Sequence, residues 1–382
     1  MVLGDIDQNK WSLGLERVKQ ALERLGHPEK AYRHVLVGGT NGKGSTCIYL
    51  ERILLASGYR VGTTISPHLT SFTERFRINS CQADEAELEQ IRTEIQGVVH
   101  DIGLTYFEWC VVLAAVMFAR HEVDIGIFEI GLGGRFDASN VMDPAVSVIT
   151  DISIDHTDYL GSSIRGIAGE KAAIARRGRP LITTAVGEAL DVLREHAQNI
   201  GADLYEVNQP YPGEVSMKGP VQQLNAALAI RAAQALGVDL SRDRLNTALK
   251  EAFLPGRLET IGGKVILDVA HNPSSMLVLV AYLETIGFHG AGVFGVLADK
   301  DYMTMIHLLD RVCSHIYIAP VKSERSWGEK EMSACIELGN ITRCMSITDA
   351  YHQASQTGER IVVTGSFYTV GEVRGSVLCA LR

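Results

Sequence analysis

HVLVGGTNGKGST, residues 34–46, is the stretch on which the fold turns. Its apolar half, HVLVGG (34–39), reads as a buried strand, and the STCIYLERILLASG that follows carries apolar residues at helical spacing. Between them lie glycines 38, 39, 42 and 44 around Lys43. A strand that passes through a glycine-rich turn into a helix can turn several backbone amides, and the positive end of the helix, onto a phosphate. The usual loop places a hydroxyl directly after the lysine. Here Gly44 follows Lys43, and Ser45 and Thr46 come one residue late. Two readings stand: an altered phosphate loop of an ATPase, kinase or GTPase, or a turn that merely needs glycine. Four glycines around one lysine are more than a turn requires, which favours the first.

Working outward, YRVGTTIS (59–66), DIGIFEI (124–130), AVSVITDI (145–152) and PLITTA (180–185) are further candidate strands. ELEQIRTEIQGVVHDI and FEWCVVLAAVMFARHE between them have helical periodicity. Continuous apolar strands alternating with helices predict an α/β fold with a parallel sheet covered on both faces. The alternation restarts after FLPGRLETIGG, whose Pro255, Gly256, Gly262 and Gly263 mark a linker. KVILDVA, GVFGVLAD, HIYIAPV and RIVVTGS then predict a smaller Rossmann-like α/β domain, with helices from Asn272 and Ser326 among those between them. The expected division is 1–257 and 258–382, and 382 residues suit two cores better than one.

A formal net charge of -9 argues against nucleic acid as the main partner, since phosphate backbones need a basic face. The N-terminal residues lack the apolar segment of a signal peptide, and WCVVLAAVMFA is too short to span a bilayer. Seven scattered cysteines without a C-x-x-C pair suit reduced thiols. A cytoplasmic enzyme acting on small molecules is expected, without membrane or nucleic-acid partners.

Polar residues recur where parallel sheets hold ligands, at the carboxyl ends of strands. Ser66, ahead of Pro67, reads as the last residue of its strand, either bonding its own backbone or facing a phosphate-bound Mg²⁺. Glu129 ends an apolar strand before GLGGR; a buried carboxylate needs a partner, either Mg²⁺ or Arg135. His156 in DISIDHTDYLG, beside Asp155 at a strand end, reads as a hydrogen-bonding histidine, and Lys171 as a solvated lysine beside Glu170. Arg257 lies at the linker, and Asp268 and His271 end the second domain's first strand.

Taken in order, GTNGKGST, SPHL, TYFE, EIGLGGRFDASN, DHTDYLG, EKAAI, LPGR and DVAHNP run through nearly the whole chain, from about Leu13 to Phe367. In this order and spacing the chain resembles the folylpolyglutamate and dihydrofolate synthases of the Mur ligase superfamily. The extra glycine of the loop belongs to that family's pattern. The resemblance implies a P-loop Mur-ligase-like ATPase domain followed by the Rossmann-like domain, without the UDP-sugar domain of the cell-wall ligases. It implies ATP-dependent ligation of L-glutamate to dihydropteroate, giving dihydrofolate, and to folyl(poly)glutamates through an acyl phosphate. Extension of folates alone, or an ATP-binding regulatory module without ligase activity, are the alternatives.

Carried over by motif, Asn41, Gly42, Lys43, Gly44 and Ser45 would hold the ATP phosphates, Asn225 the adenine, and Arg257 and Asp268 other parts of ATP. Ser66 and Glu129 would bind one Mg²⁺, with His156 near a second. Lys171 matches a lysine that is carbamylated in the family and so becomes a metal ligand; Lys43, Lys171 and His271 are the expected catalytic residues. The pteroate end is expected among Trp11, Ser12 and Leu13, Thr105, Tyr106, Phe107 and Glu108, and Phe136, Asp137 and Ala138, with Phe107 stacking on the pterin. The family prior is a monomer. Gly38, Phe136, Ser139 and the second alanine of EKAAI depart from the commoner residues without removing a charged group.

Overall fold

The computed structural model describes residues 2–4, 6–7, 12, 14–336 and 339–380, so Trp11 and Leu13 lie outside the described residues. The chain forms two compact units, Met1–Ser216 with Gln222–Phe253, and Met217–Val221 with Leu254–Arg382. Where the sequence divides the chain after Arg257, the backbone crosses after Phe253 and lends five residues, Met217–Val221, to the second unit.

The first unit is built on strands β1 (Arg33–Gly38), β2 (Val61–Thr64), β3 (Phe76–Ile78), β4 (Cys81–Gln82), β5 (Ile125–Glu129), β6 (Pro144–Ile149), β7 (Pro180–Thr183) and β8 (Asp203–Glu206). Their order is β4-β3-β2-β5-β1-β6-β7-β8. All neighbours are parallel except β2-β3 and β3-β4. β5 is buried at every position and β1 at all but its first, because helices cover both faces of the sheet centre. β3, β4 and β8 lack such a run: at the sheet margins, backbone pairing with a neighbour suffices and apolar side chains are not needed.

Register fixes the functional end of this sheet. Val37 is level with Glu129 across β1-β5, and Gly38 with Ile149 across β1-β6. The loop after β1 therefore emerges between the end of β5 and the residues that follow β6. Strands end earlier than expected at two places. Ser66 lies two residues past β2, and His156 follows a loop seven residues beyond β6. Pro67, in a cis peptide bond with Ser66, cannot supply an N–H to continue the ladder.

The helix Lys43–Ala56 packs against Gln222–Ala235 and is buried almost all round, which accounts for its apolar run. Its one fully buried charge, Glu51, is held by Arg77 at 3.2 Å and by the Ser80 hydroxyl at 3.1 Å. The apolar run that is too short for a bilayer is the core helix Tyr106–Arg120, begun by a Thr105–Glu108 capping box. No helix among the described residues is long and apolar enough to cross a membrane.

The second unit has β9 (Glu259–Ile261), β10 (Val265–Leu267), β11 (Gly290–Phe294), β12 (Cys313–Ile318), β13 (Ile341–Arg343) and β14 (Arg360–Thr364), ordered β13-β12-β11-β14-β10-β9. It is parallel except for β9, which pairs antiparallel with β10. Part of the expected linker is thus a hairpin, turned by Gly262 and Gly263 at φ 58° and 70°. The helix expected from Ser326 begins at Glu329. Trp327 is instead drawn into the core, its indole N–H donating to Ala319 O at 2.8 Å.

Candidate functional site

The loop after β1 is tied down on one side. Thr40 N donates to Asp151 O at 2.8 Å, and the Asn41 amide to Asp151 Oδ1 at 2.5 Å. The Asn41 side chain reaches Asp151 Oδ2 at 3.1 Å, while the Thr150 hydroxyl donates to Asn41 O at 2.6 Å. Gly42, at φ 81°, begins the helix Lys43–Ala56 without a side-chain cap, so the helix N-terminus stays open to an anion. Lys43 lies against this turn, its Nζ donating to Thr40 O at 2.9 Å and Gly39 O at 3.3 Å. Ser45, 1 % exposed, meets Gln222 Nε2 at 3.4 Å, and Gln222 accepts from Asn225 at 3.2 Å.

Gly39 is required twice over. Its φ is 134°, and a Cβ there would lie 1.8 Å from Thr150 Oγ1. Gly39→Ala is therefore expected to displace the loop and weaken nucleotide binding by about a hundred-fold or more, as titration calorimetry with ADP would read.

Lys171 is no solvated lysine. It is 5 % exposed, and its Nζ donates to Gly39 O at 2.7 Å. Burial, reinforced by the nearby charge of Lys43, lowers its pKa from 10.5 to about 7, against the opposing fields of Asp151, Asp155 and Asp137. Burial likewise raises Asp151, which Asn41 and the two lysines partly offset.

Glu129 is buried at the end of β5, and Ser66 N donates to its Oε2 at 2.9 Å. Arg135, the alternative partner, pairs instead with Glu170 at 2.9 Å. No group of three or more His, Cys, Asp or Glu able to hold a metal ion occurs among the described residues. The donors at this point, a carboxylate and a serine hydroxyl, fit an ion such as Mg²⁺ that completes its octahedron with phosphate oxygens and water. His156 adopts the left-handed conformation (φ 53°) before the turn Thr157–Leu160; its amide donates to Asp155 Oδ1 at 2.8 Å.

A depression enclosing about 710 Å³, open mouth included, lies in the same unit. Ser12, Thr105, Phe107, Glu108, Phe136, Asp137 and Ala138 line it. Phe107 packs so closely on Gly131 that a Cβ there would stand 2.7 Å from its ring. Asp137 accepts backbone N–H groups of Gly131, Leu132 and Ser139 at 2.9, 3.0 and 2.9 Å, while burial raises its pKa to about 6. Tyr106 is not part of this wall. It turns into the core, against Phe72 (5.9 Å between centroids) and under Arg75 (5.5 Å).

In the second unit, Arg257 lies 5.4 Å from the Phe367 ring, and His271 is 5.8 Å from the same ring. Asp268 accepts the amides of Leu258 and Ala270, both at 3.0 Å; burial raises its pKa to about 6 despite Arg257. His271 Nδ1 bonds Val269 O at 2.9 Å, which places the ring proton on Nδ1 and makes Nε2 the basic nitrogen.

Residues 37–210 match the Mur ligase middle domain, and residues 256–367 the glutamate ligase domain of Mur ligases. The dihydrofolate synthase/folylpolyglutamate synthase of Escherichia coli K12 is 35% identical over 384 residues, covering 94% of this chain and 90% of that protein. The chain belongs to the dihydrofolate synthase/folylpolyglutamate synthase family. Its fold is shared at TM-score 0.90 with E. coli FolC in complex with DHPP and ADP, at 33% identity over 99% of this chain and 96% of that one. The bifunctional synthase of Yersinia pestis complexed with AMPPNP and Mn ion gives TM-score 0.89 at 34% identity, covering 98% and 95%.

Within this synthase family fold, several groups at the site went unread in the sequence. Asp151 opens the DISIDH stretch, five residues before His156, and looks like one more polar residue; only its bond to Asn41, across 110 residues of sequence, reveals it. Tyr159, Leu160 and Glu170 complete the wall of the depression, and Phe367 gathers Arg257 and His271. An aromatic in DHTDYLG was the one available signal for Tyr159.

Proposed function

We propose that this synthase uses ATP to join L-glutamate to dihydropteroate and to folates, forming an acyl phosphate from the acceptor carboxylate. The observation that carries the reading is the convergence of the GTNGKGST loop, Glu129 and the buried Lys171 around the carboxyl ends of β1, β5 and β6. The depression lined by Phe107, Phe136, Glu108 and Asp137 sets aromatic side chains beside carboxylates, a lining suited to a pterin and its arene.

In this reading the first unit binds ATP and pteroate, and the second, which takes in Arg257, is the ligase domain. The Asn41–Ser45 amides and Lys43 hold the phosphates, Asn225 the adenine, and Arg257 and Asp268 further parts of the nucleotide. A carboxylate resists attack by an amine, so the γ-phosphoryl group is first passed to it. Lys43 and the loop amides carry the charge that develops on the phosphoryl oxygens. The glutamate amine then attacks the acyl carbon and phosphate leaves, with His271 Nε2 a base within its unit for the amine proton. Ser66, Glu129, His156 and a carbamylated Lys171 would hold two Mg²⁺, which supply further charge neutralisation when bound. Small molecules are the only partners this chemistry needs. A monomer belongs to this reading, and seven free cysteines support a cytoplasmic setting.

The test is ADP release with Mg-ATP and L-glutamate, run with 7,8-dihydropteroate, with tetrahydrofolate and with neither, products being weighed by mass spectrometry. Turnover with both acceptors is expected. Tetrahydrofolate turnover alone would make the chain a dedicated polyglutamylase, and ADP release without ligated product would overturn the reading. Glu129→Ala is expected to lower ligation about a hundred-fold and to raise the Mg²⁺ concentration needed for half-maximal rate. A Mg²⁺ titration of the variant checks it.

A further inference from the structure

Arg17 lies outside every motif of the family pattern traced above, yet its guanidinium ties together two walls of the depression. Its Nε donates to Glu108 Oε2 at 3.0 Å and its Nη2 to Glu108 Oε1 at 2.8 Å, a two-pronged pair. The same Nη2 donates to Ser12 O at 2.8 Å. Glu108 and Ser12 both line the depression, although they are far apart in the chain. Glu108 is 3 % exposed, so its charge is costly without a partner.

Helix capping does not account for the pair, and burial of the Glu108 charge asks only for a cation, not for this fork. The capping box of the helix Tyr106–Arg120 needs only the bond from Thr105 N to Glu108 Oε2, at 2.8 Å. A neutral glutamine would serve that cap equally. The guanidinium adds nothing to the cap, and its third bond runs to Ser12 O, away from the helix. What it does is fix the plane of the Glu108 carboxylate by a planar fork, which an ammonium cannot copy. It also neutralises one acidic wall of a pocket whose acceptor is itself an anion.

We propose that Arg17 is a positioning residue for the pteroate end of the site, holding the Glu108 carboxylate and the Ser12 backbone in the geometry that receives the flat heterocycle. The inference rests on the function proposed above. Arg17 touches no reacting atom; it acts through Glu108 and Ser12, and so governs acceptor affinity and leaves the nucleotide site alone.

The experiment compares Arg17→Lys and Arg17→Ala with the unsubstituted protein. Dissociation constants for 7,8-dihydropteroate, with Mg-ADP present, and for ADP alone are measured by titration calorimetry, alongside melting temperatures. Arg17→Lys is expected to melt close to the parent and to weaken dihydropteroate by about ten-fold, with ADP affinity changed less than about two-fold. Arg17→Ala is expected to weaken dihydropteroate by about thirty-fold or more and to regain part of that loss with added methylguanidinium. Unaltered dihydropteroate affinity in Arg17→Lys, or equal weakening of both ligands, overturns the proposal. Failure of the unsubstituted protein to bind dihydropteroate while binding ADP would instead overturn the functional reading on which it rests.

Discussion

Lys43→Ala is expected to lower ligation about a thousand-fold or more while leaving the fold intact. The side chain contributes little to packing: among the described residues its Nζ donates to the carbonyls of Gly39 and Thr40. These carbonyls belong to a loop already secured by Asp151 and Thr150. What the substitution removes is the loop's one positive side chain, at the step where negative charge concentrates on the phosphoryl oxygens. Loss of a single well-placed donor of this kind typically costs a hundred- to a thousand-fold, and a full charge on a triphosphate costs more. Melting temperature should fall by no more than about 3 °C. Product mass and ADP release report the rate; turnover within about ten-fold of the parent would remove Lys43 from the mechanism.

The second large effect concerns Lys171, and its sign differs between rate and stability. A carbamate forms only on an unprotonated amine, and a pKa near 7 leaves much of this lysine neutral under ordinary conditions. Lys171→Ala is expected to cost about a hundred-fold or more in rate, with partial recovery on adding acetate or formate, which supply the missing carboxylate. Carbon-13-labelled bicarbonate should give a carbamate resonance in the parent and none in the variant. Lack of both rescue and resonance would remove the modification from the proposal.

For stability, the folded pKa lies below the unfolded 10.5, so the unfolded chain binds more protons between about 7 and 10.5. Stability contributed at this position therefore rises with pH through that window, and the penalty is full below about 7. Lys171→Met should consequently melt higher than the parent at pH 6, and the gap should narrow by pH 10. A variant that gains stability while losing activity would separate the two roles of this buried amine; a lower melting temperature at pH 6 would contradict its burial cost.

Much of the first unit was legible because the relevant signals are contiguous. The glycines around Lys43, the apolar runs of β1, β5 and β6, and Glu129 at a strand end all lie within a few residues of the feature they explain. Edge strands were not legible. β8, DLYE, alternates poorly and carries two acids, because its stability comes from pairing with β7 and not from apolar burial. Trp327 shows the reverse limit: local polarity around it suggested the start of a helix, but the core claimed the indole and delayed the helix by three residues, from Ser326 to Glu329.

The sequence by itself determined the α/β alternation, the phosphate-type loop and the family pattern, because strand and helix periodicity and glycine's access to positive φ act over a few residues. Tertiary structure alone decided that Lys171 is buried beneath Gly39, that Asp151 holds Asn41, and that Arg17 grips Glu108. These pairs are separated by 132, 110 and 91 residues. A charge's ionisation and orientation depend on the dielectric and partners around it in space, and no local pattern of residues records those.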